Sequence, residues 1–226
     1  MRNLMIGRHM FMDPTRMTIE VLYLLTVLVL CFLIYHKTKN AYELTKHKGI
    51  NHFRNAFFFF GFAYVFRFVF LLIMLSGLAF DFQLPRYLLP EISLALMGYL
   101  STMAIFSLVL SVIWKKVNYI YALFTAQAIA IVLSIIAMLT RSQHILSLIQ
   151  LMLLIVVIVL SYFYHKRSKK FTRLFTIYIL TFVVWIISMA SIRPPRAIFG
   201  EFRIILYLIS VTVFFVILHK VKRMIK

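Results

Sequence analysis

Apolar residues in this chain fall in long unbroken runs separated by short polar breaks, rather than in the alternating or 3.6-residue stripes of a soluble domain. The runs cover 17–35, 53–76, 90–114, 117–140, 145–164, 171–192 and 202–218. Each has about 20 residues, the length an α-helix needs to cross a hydrocarbon layer of roughly 30 Å. The pattern predicts an all-α polytopic membrane protein, with seven transmembrane helices in a single domain spanning 1–226. Its expected parts are an outer arm 1–13, a first helix triplet 14–114, a spacer helix 117–140, a second triplet 143–219 and a basic tail 220–226. The first run is no cleavable signal peptide: it is long, lies behind a polar arm and lacks a small-residue cleavage site.

Composition strengthens this picture. Hydrophobic residues make up 63% of the chain and the mean hydropathy is +0.96, far outside the soluble range. The net charge of +19 would by itself suit a nucleic-acid binder, but its distribution follows the membrane. With the N-terminus outside, the inner segments hold sixteen Lys and Arg and the outer segments eight, all of the latter Arg. This is the positive-inside bias. It predicts an outer N-terminus, a cytoplasmic C-terminus, no nucleic-acid partner, and attraction of anionic lipid to the inner face. The one cysteine, Cys31, lies within the first run, and there is no Asn-x-Ser/Thr acceptor. Both fit a prokaryotic cell membrane.

A local motif recurs. Pro85-Arg86-Tyr87-Leu88-Leu89-Pro90-Glu91 returns as Pro195-Arg196-Ala197-Ile198-Phe199-Gly200-Glu201, and a looser copy is Pro14, Arg16 and Glu20. Each copy precedes or opens a long apolar run and so marks the outer mouth of a helix. Tyr35-His36-Lys37 likewise recurs as Tyr164-His165-Lys166, and Phe53 with Phe57 as Phe171 with Phe175. Helices one to three then match helices five to seven, with helix four as the spacer that keeps both triplets in one orientation. The expected design is a parallel 3+1+3 pseudo-repeat.

In this architecture the chain resembles the broad group of seven-helix proteins that includes SWEET and PQ-loop carriers, KDEL-receptor-like proteins and the seven-helix sensor regions placed ahead of histidine kinases. The resemblance spans all seven helices and rests on topology alone. There is no Pro-Gln pair, no Lys in helix seven before Lys220 to hold retinal, and no Asp-Arg-Tyr or Asn-Pro-x-x-Tyr. No family residues are therefore carried over.

The sharpest chemical constellation is Glu20, Glu91 and Glu201 with Arg67. A Glu six residues beyond a helix-opening Pro lies about 9 Å along the axis, so three carboxylates at similar depth could line an outer vestibule and take up a proton or cation. Each could instead complement its helix dipole or pair with a nearby Arg. Arg67 is the only charge deep in any run, and an Arg there costs at least ~2.5 to 3.5 kcal/mol unless paired or hydrated. Side chains lean toward their helix N-terminus, so Arg67 leans inward and the glutamates outward. The expectation is a gap between them, holding water or a small polar ligand, with Gln150, Tyr99 and Trp185 as walls.

His36, His52, His165 and His219 fall at the inner boundary, and no His-x-x-x-His pair exists. No metal, cofactor or catalytic residue is expected, and no nucleophile–base pair points to an enzyme. The sequence thus predicts a sensor or receptor-like module that binds a small polar ligand, ion or proton from outside and signals through a membrane or cytoplasmic partner. A small SWEET-like carrier and a structural subunit of a membrane complex are the alternatives. Beyond any such partner, the expected surroundings are the lipid bilayer.

Overall fold

The computed structural model describes residues 14–79, 88–165, 171–192 and 202–225. These residues form seven helices: α1 Pro14–Thr45, α2 Lys48–Ala79, α3 Leu88–Ile113, α4 Tyr119–Thr140, α5 Gln143–His165, α6 Phe171–Ile192 and α7 Phe202–Ile225. Six of them are long and apolar enough to span a membrane, and in α6 the described apolar stretch is Phe175–Ser188. Large apolar side chains such as Leu22, Phe32, Phe62, Phe124, Leu139, Phe163 and Leu208 face outward. A surface of this kind is stable against lipid and not against water, so the protein is an integral membrane protein. The outer arm 1–13, residues 85–87 of the motif that begins at Pro85, and the whole of the Pro195 copy, Glu201 included, lie outside the described residues.

The polar break at 38–52, where the sequence suggests an inner loop that partly prolongs helix one, is helical except at 46–47: α1 continues to Thr45 and α2 begins at Lys48. Thr38 and Ala41 stay buried on the helix face that packs inward, and Lys39 pairs with Glu43 one turn on, so helical pairing outlasts the apolar run. The chain reverses at Lys46, whose φ of 51° is left-handed, and the Thr45 hydroxyl accepts the His47 N–H at 3.4 Å. At ~1.5 Å per residue each 32-residue helix is about 48 Å long, well beyond a hydrocarbon layer of roughly 30 Å. The tip of this hairpin therefore stands clear of the apolar layer. The opposite end of the bundle, where α1 begins, is here termed the upper end.

Six helices make a ring: α1 packs on α2, α2 on α3, α3 on α5, α5 on α6, α6 on α7, and α7 back on α1. Helix α4 lies outside, mainly against α3. Its buried face is Ala126, Ala130, Ser134 and Ala137, small residues at three- and four-residue spacing that let two helices approach closely in lipid. Asn118 caps α4 at its start, accepting the Ile120 N–H, and Arg141 in the left-handed region ends it. Across the ring, α2 and α6 meet through long side chains: Tyr64 Oη lies 2.9 Å from Ser188 Oγ, and Phe53 packs edge-on to Tyr178. The central core comprises Leu24, Val27, Phe57, Ile105, Leu154, Ile177, Trp185 and Phe214. A small, partly open cavity of about 20 Å³ lies beside it, lined by Ala56, Phe57, Phe60, Ala104, Ile105, Leu108, Leu154, Thr181 and Trp185.

Candidate functional site

In the upper half of the bundle a polar cluster joins α1, α2, α6 and α7. Its strongest bond runs from Arg67 Nη2 to Glu20 Oε1 at 2.7 Å, with side chains only 15% and 21% exposed. A short charge-assisted bond of this kind is what makes an Arg tolerable at such depth. The pairing corrects the gap expected between the two residues. Antiparallel α1 and α2 place positions 20 and 67 at one level, because Tyr23, three residues on, meets Tyr64, three residues back. The long guanidinium arm then spans the opposed leans of the two side chains.

One turn below, three tyrosines gather. Tyr23 Oη lies 3.4 Å from Tyr64 Oη and 3.1 Å from Ser210 Oγ, and Tyr64 reaches Ser188. This gives a continuous hydroxyl chain, Ser210–Tyr23–Tyr64–Ser188, that stitches α7 to α1, α2 and α6. The Tyr207 ring stacks on Tyr23 at 4.0 Å and 12°. Tyr207 is 4% exposed, and its buried hydroxyl has no hydrogen-bond partner among the described residues. It sits within the field of Glu20, Arg67 and Arg203, and Arg203 lies one turn before it on α7. The other hydroxyls of the cluster are bonded, so among the described residues of the cluster Tyr207 offers the one open donor and acceptor, beside a partly buried ion pair.

The other expected site residues are placed elsewhere. Glu91 does not join Glu20: it pairs at 2.7 Å with Arg141, which ends α4, and so ties α4 to α3. Gln150 is 1% exposed and donates to Ser101 Oγ at 2.7 Å and Thr102 Oγ1 at 2.9 Å, locking α5 on α3. Trp185 is buried against the central apolar cavity, and Tyr99 is half-buried on α3. The cluster's missing members, Tyr23, Tyr64, Tyr207, Ser188 and Ser210, carried a readable signal. Tyr23 stands three residues after Glu20 and Tyr64 three before Arg67, on the same helix faces.

At the lower end the basic residues are held by aromatic rings. The Arg54 guanidinium lies 5.6 Å from the Tyr35 ring and 5.4 Å from Tyr42, a cation–π clasp within the α1–α2 hairpin. His47 meets Trp114 edge-on at 4.6 Å, and Lys115 lies over the same indole. Loss of water contact and the Lys115 charge hold the His47 imidazole below its ordinary pKa. Gly49 fits here because a Cβ would lie 3.0 Å from both the Trp114 and His47 rings. Among the described residues no three metal-ligating side chains gather.

Comparison with known proteins gives one informative match. An uncharacterized protein of Archaeoglobus fulgidus is 30% identical over 209 residues, which is 90% of this chain and 91% of that one. The chain belongs to the family of that protein. The likeness runs almost end to end, so it takes in the whole bundle and not one hairpin. No protein-family profile and no solved structure matches the chain.

Proposed function

We propose that the protein is a seven-helix membrane sensor whose binding site is the upper cluster of Glu20, Arg67, Tyr23, Tyr64 and Tyr207, open to a small polar ligand, ion or proton from the outer side. The observation that carries this reading is the Tyr207 hydroxyl, buried and without a hydrogen-bond partner among the described residues, beside a partly buried ion pair. A buried hydroxyl without a partner costs about 1–3 kcal/mol, and a bound water or ligand group relieves that cost. The cluster touches four helices, so a ligand that changes one bond acts on α1, α2, α6 and α7 together. Signalling requires only that the ligand favour one of two bundle arrangements, read by a partner at the basic lower face. The role is binding, not catalysis, with the N-terminus outside and the C-terminus in the cytoplasm of a prokaryotic cell.

The packing order favours one second reading, a small carrier. Exchanging α1, α2 and α3 with α5, α6 and α7 maps the α1–α7 contact onto α5–α3 and leaves the ring order unchanged. Each of these two seams carries a polar bond in the upper half, Tyr23–Ser210 in one and Gln150–Ser101 in the other. This supports the parallel 3+1+3 design with α4 as spacer, and such triplets could rock about the central cavity.

Trp185, one turn before Ser188 on α6, is a built-in probe. In a Trp114→Phe background, Trp185 emission is expected to shift on titration with protons, monovalent cations or small organic acids and amines, and Tyr207→Phe is expected to abolish the shift. An unchanged response in Tyr207→Phe would remove the site. Tracer uptake into proteoliposomes, lost with Arg67→Ala, would establish the carrier reading instead.

A further inference from the structure

A cleft lined by described residues lies away from the upper cluster, along the lower half of α7. Its volume is about 520 Å³ and its described lining is Thr212, Phe215, Val216, His219, Lys220 and Arg223. These positions follow one another by three and four residues and so form a single stripe on the helix. Chemistry changes along the stripe. Phe215 and Val216 are bare apolar surface, 54% and 40% exposed. The Thr212 hydroxyl is bonded to the Leu208 carbonyl at 2.8 Å, and this satisfies the one polar group at that end of the stripe. The other end is a cluster of two fixed cations and an imidazole.

Length identifies the occupant. From 212 to 223 the stripe runs about 16 Å at ~1.5 Å per residue, half of a hydrocarbon layer of roughly 30 Å. A cleft one leaflet deep, apolar toward the midplane and cationic at the headgroup level, matches one acyl or isoprenoid chain with an anionic head. Lys222, also in the last turn, is not part of the described lining, so the cations that face the cleft are a selected set and not a uniform collar. We propose that this cleft binds one anionic phospholipid, its chain against Thr212, Phe215 and Val216 and its phosphate between His219, Lys220 and Arg223. The site is independent of the ligand-binding reading given for the upper cluster.

The test is native mass spectrometry of the detergent-purified full chain with phosphatidylglycerol or phosphatidylcholine added. One phosphatidylglycerol per chain is expected to be retained, and phosphatidylcholine is not. Each Lys or Arg near a lipid surface contributes about fivefold in affinity for anionic lipid, so Lys220→Ala/Arg223→Ala should weaken retention roughly twenty-five-fold. Lys37→Ala/Lys39→Ala, which removes equal charge from the exposed side of α1, should leave it unchanged. Val216→Trp, which fills the cleft and keeps both cations, should also evict the lipid. Equal losses in the two charge variants, or equal retention of both lipids, would reduce the effect to diffuse attraction and overturn the site. A photo-crosslinker at position 215 that captures another polypeptide in membranes, and not lipid, would overturn it as well.

Discussion

Removing Glu20 leaves the Arg67 guanidinium desolvated and unpaired, which is costlier than removing both charges. Glu20→Ala is therefore expected to destabilise the detergent-solubilised protein by about 3 kcal/mol, and Glu20→Leu/Arg67→Met to recover most of that loss; thermal unfolding of the single and double variants decides it. At the lower end His47 gives a pH signature. Its folded pKa lies below the ordinary 6.5, held there by desolvation and by Lys115, so the unfolded state takes up a proton first as pH falls. The contribution of this junction is complete above the unfolded pKa and is lost as pH falls through the folded one. NMR titration of His47 should show the low value, and Lys115→Ala should raise it. Arg67 was legible from sequence because a lone charge in an apolar run is conspicuous. Its partner was misjudged because side-chain lean was weighed and side-chain reach was not. The tyrosines were missed because Tyr is expected at membrane interfaces and in cores alike, and only their three-residue spacing from Glu20 and Arg67 set these apart.

Pairs of helices are joined in two different ways, and substitutions separate them. The α3–α5 seam depends on close approach: a Cβ on Gly98 would come within 2.8 Å of Leu146 Cδ2. Gly98→Ala should be absorbed by rotation of that leucine, whereas Gly98→Leu should cost about 1–3 kcal/mol by overpacking. Gln150 in the same seam bonds two hydroxyls that already donate to their own helix, Ser101 to Met97 and Thr102 to Gly98. Gln150→Leu should then cost only about 0.6 to 1.7 kcal/mol and leave any Trp185 response intact, unlike Tyr207→Phe. The helix cores were readable from apolar runs alone, since lipid thickness dictates their length. A partial extension of α1 into the polar break was readable, but its reach to Thr45 and the early start of α2 at Lys48 were not, because beyond the bilayer the helix continues on Thr38, Ala41 and the Lys39–Glu43 pair, without an apolar run to mark its limit. The buried face of α4 is made of Ala126, Ala130, Ser134 and Ala137, while Gln127 beside it is only half-buried.

At the scale of the molecule, the described charges include an ion pair inside the upper cluster, an ion pair that fastens α4 to α3, and a basic lower end where Arg54 and Lys115 stack on aromatic rings. Composition and run lengths were enough to establish the class and seven helices. The ring order, with α4 outside it, was not readable, because it depends on which faces carry small residues and on hydroxyl pairs spread over distant parts of the chain. The likeness to an archaeal protein across nearly the whole length fits a conserved bundle and not a borrowed hairpin. The central claim is that the upper cluster is reached from the outer solution and ends at Tyr207. Cys31 is the only cysteine and is 1% exposed, so Cys31→Ala gives a background for thiol labelling. In intact cells a small membrane-impermeant methanethiosulfonate reagent should modify Tyr207→Cys and should not modify Phe214→Cys, two turns deeper on the same face of α7. If position 207 proves as inert as position 214, the cluster is sealed structural packing and the sensor account fails.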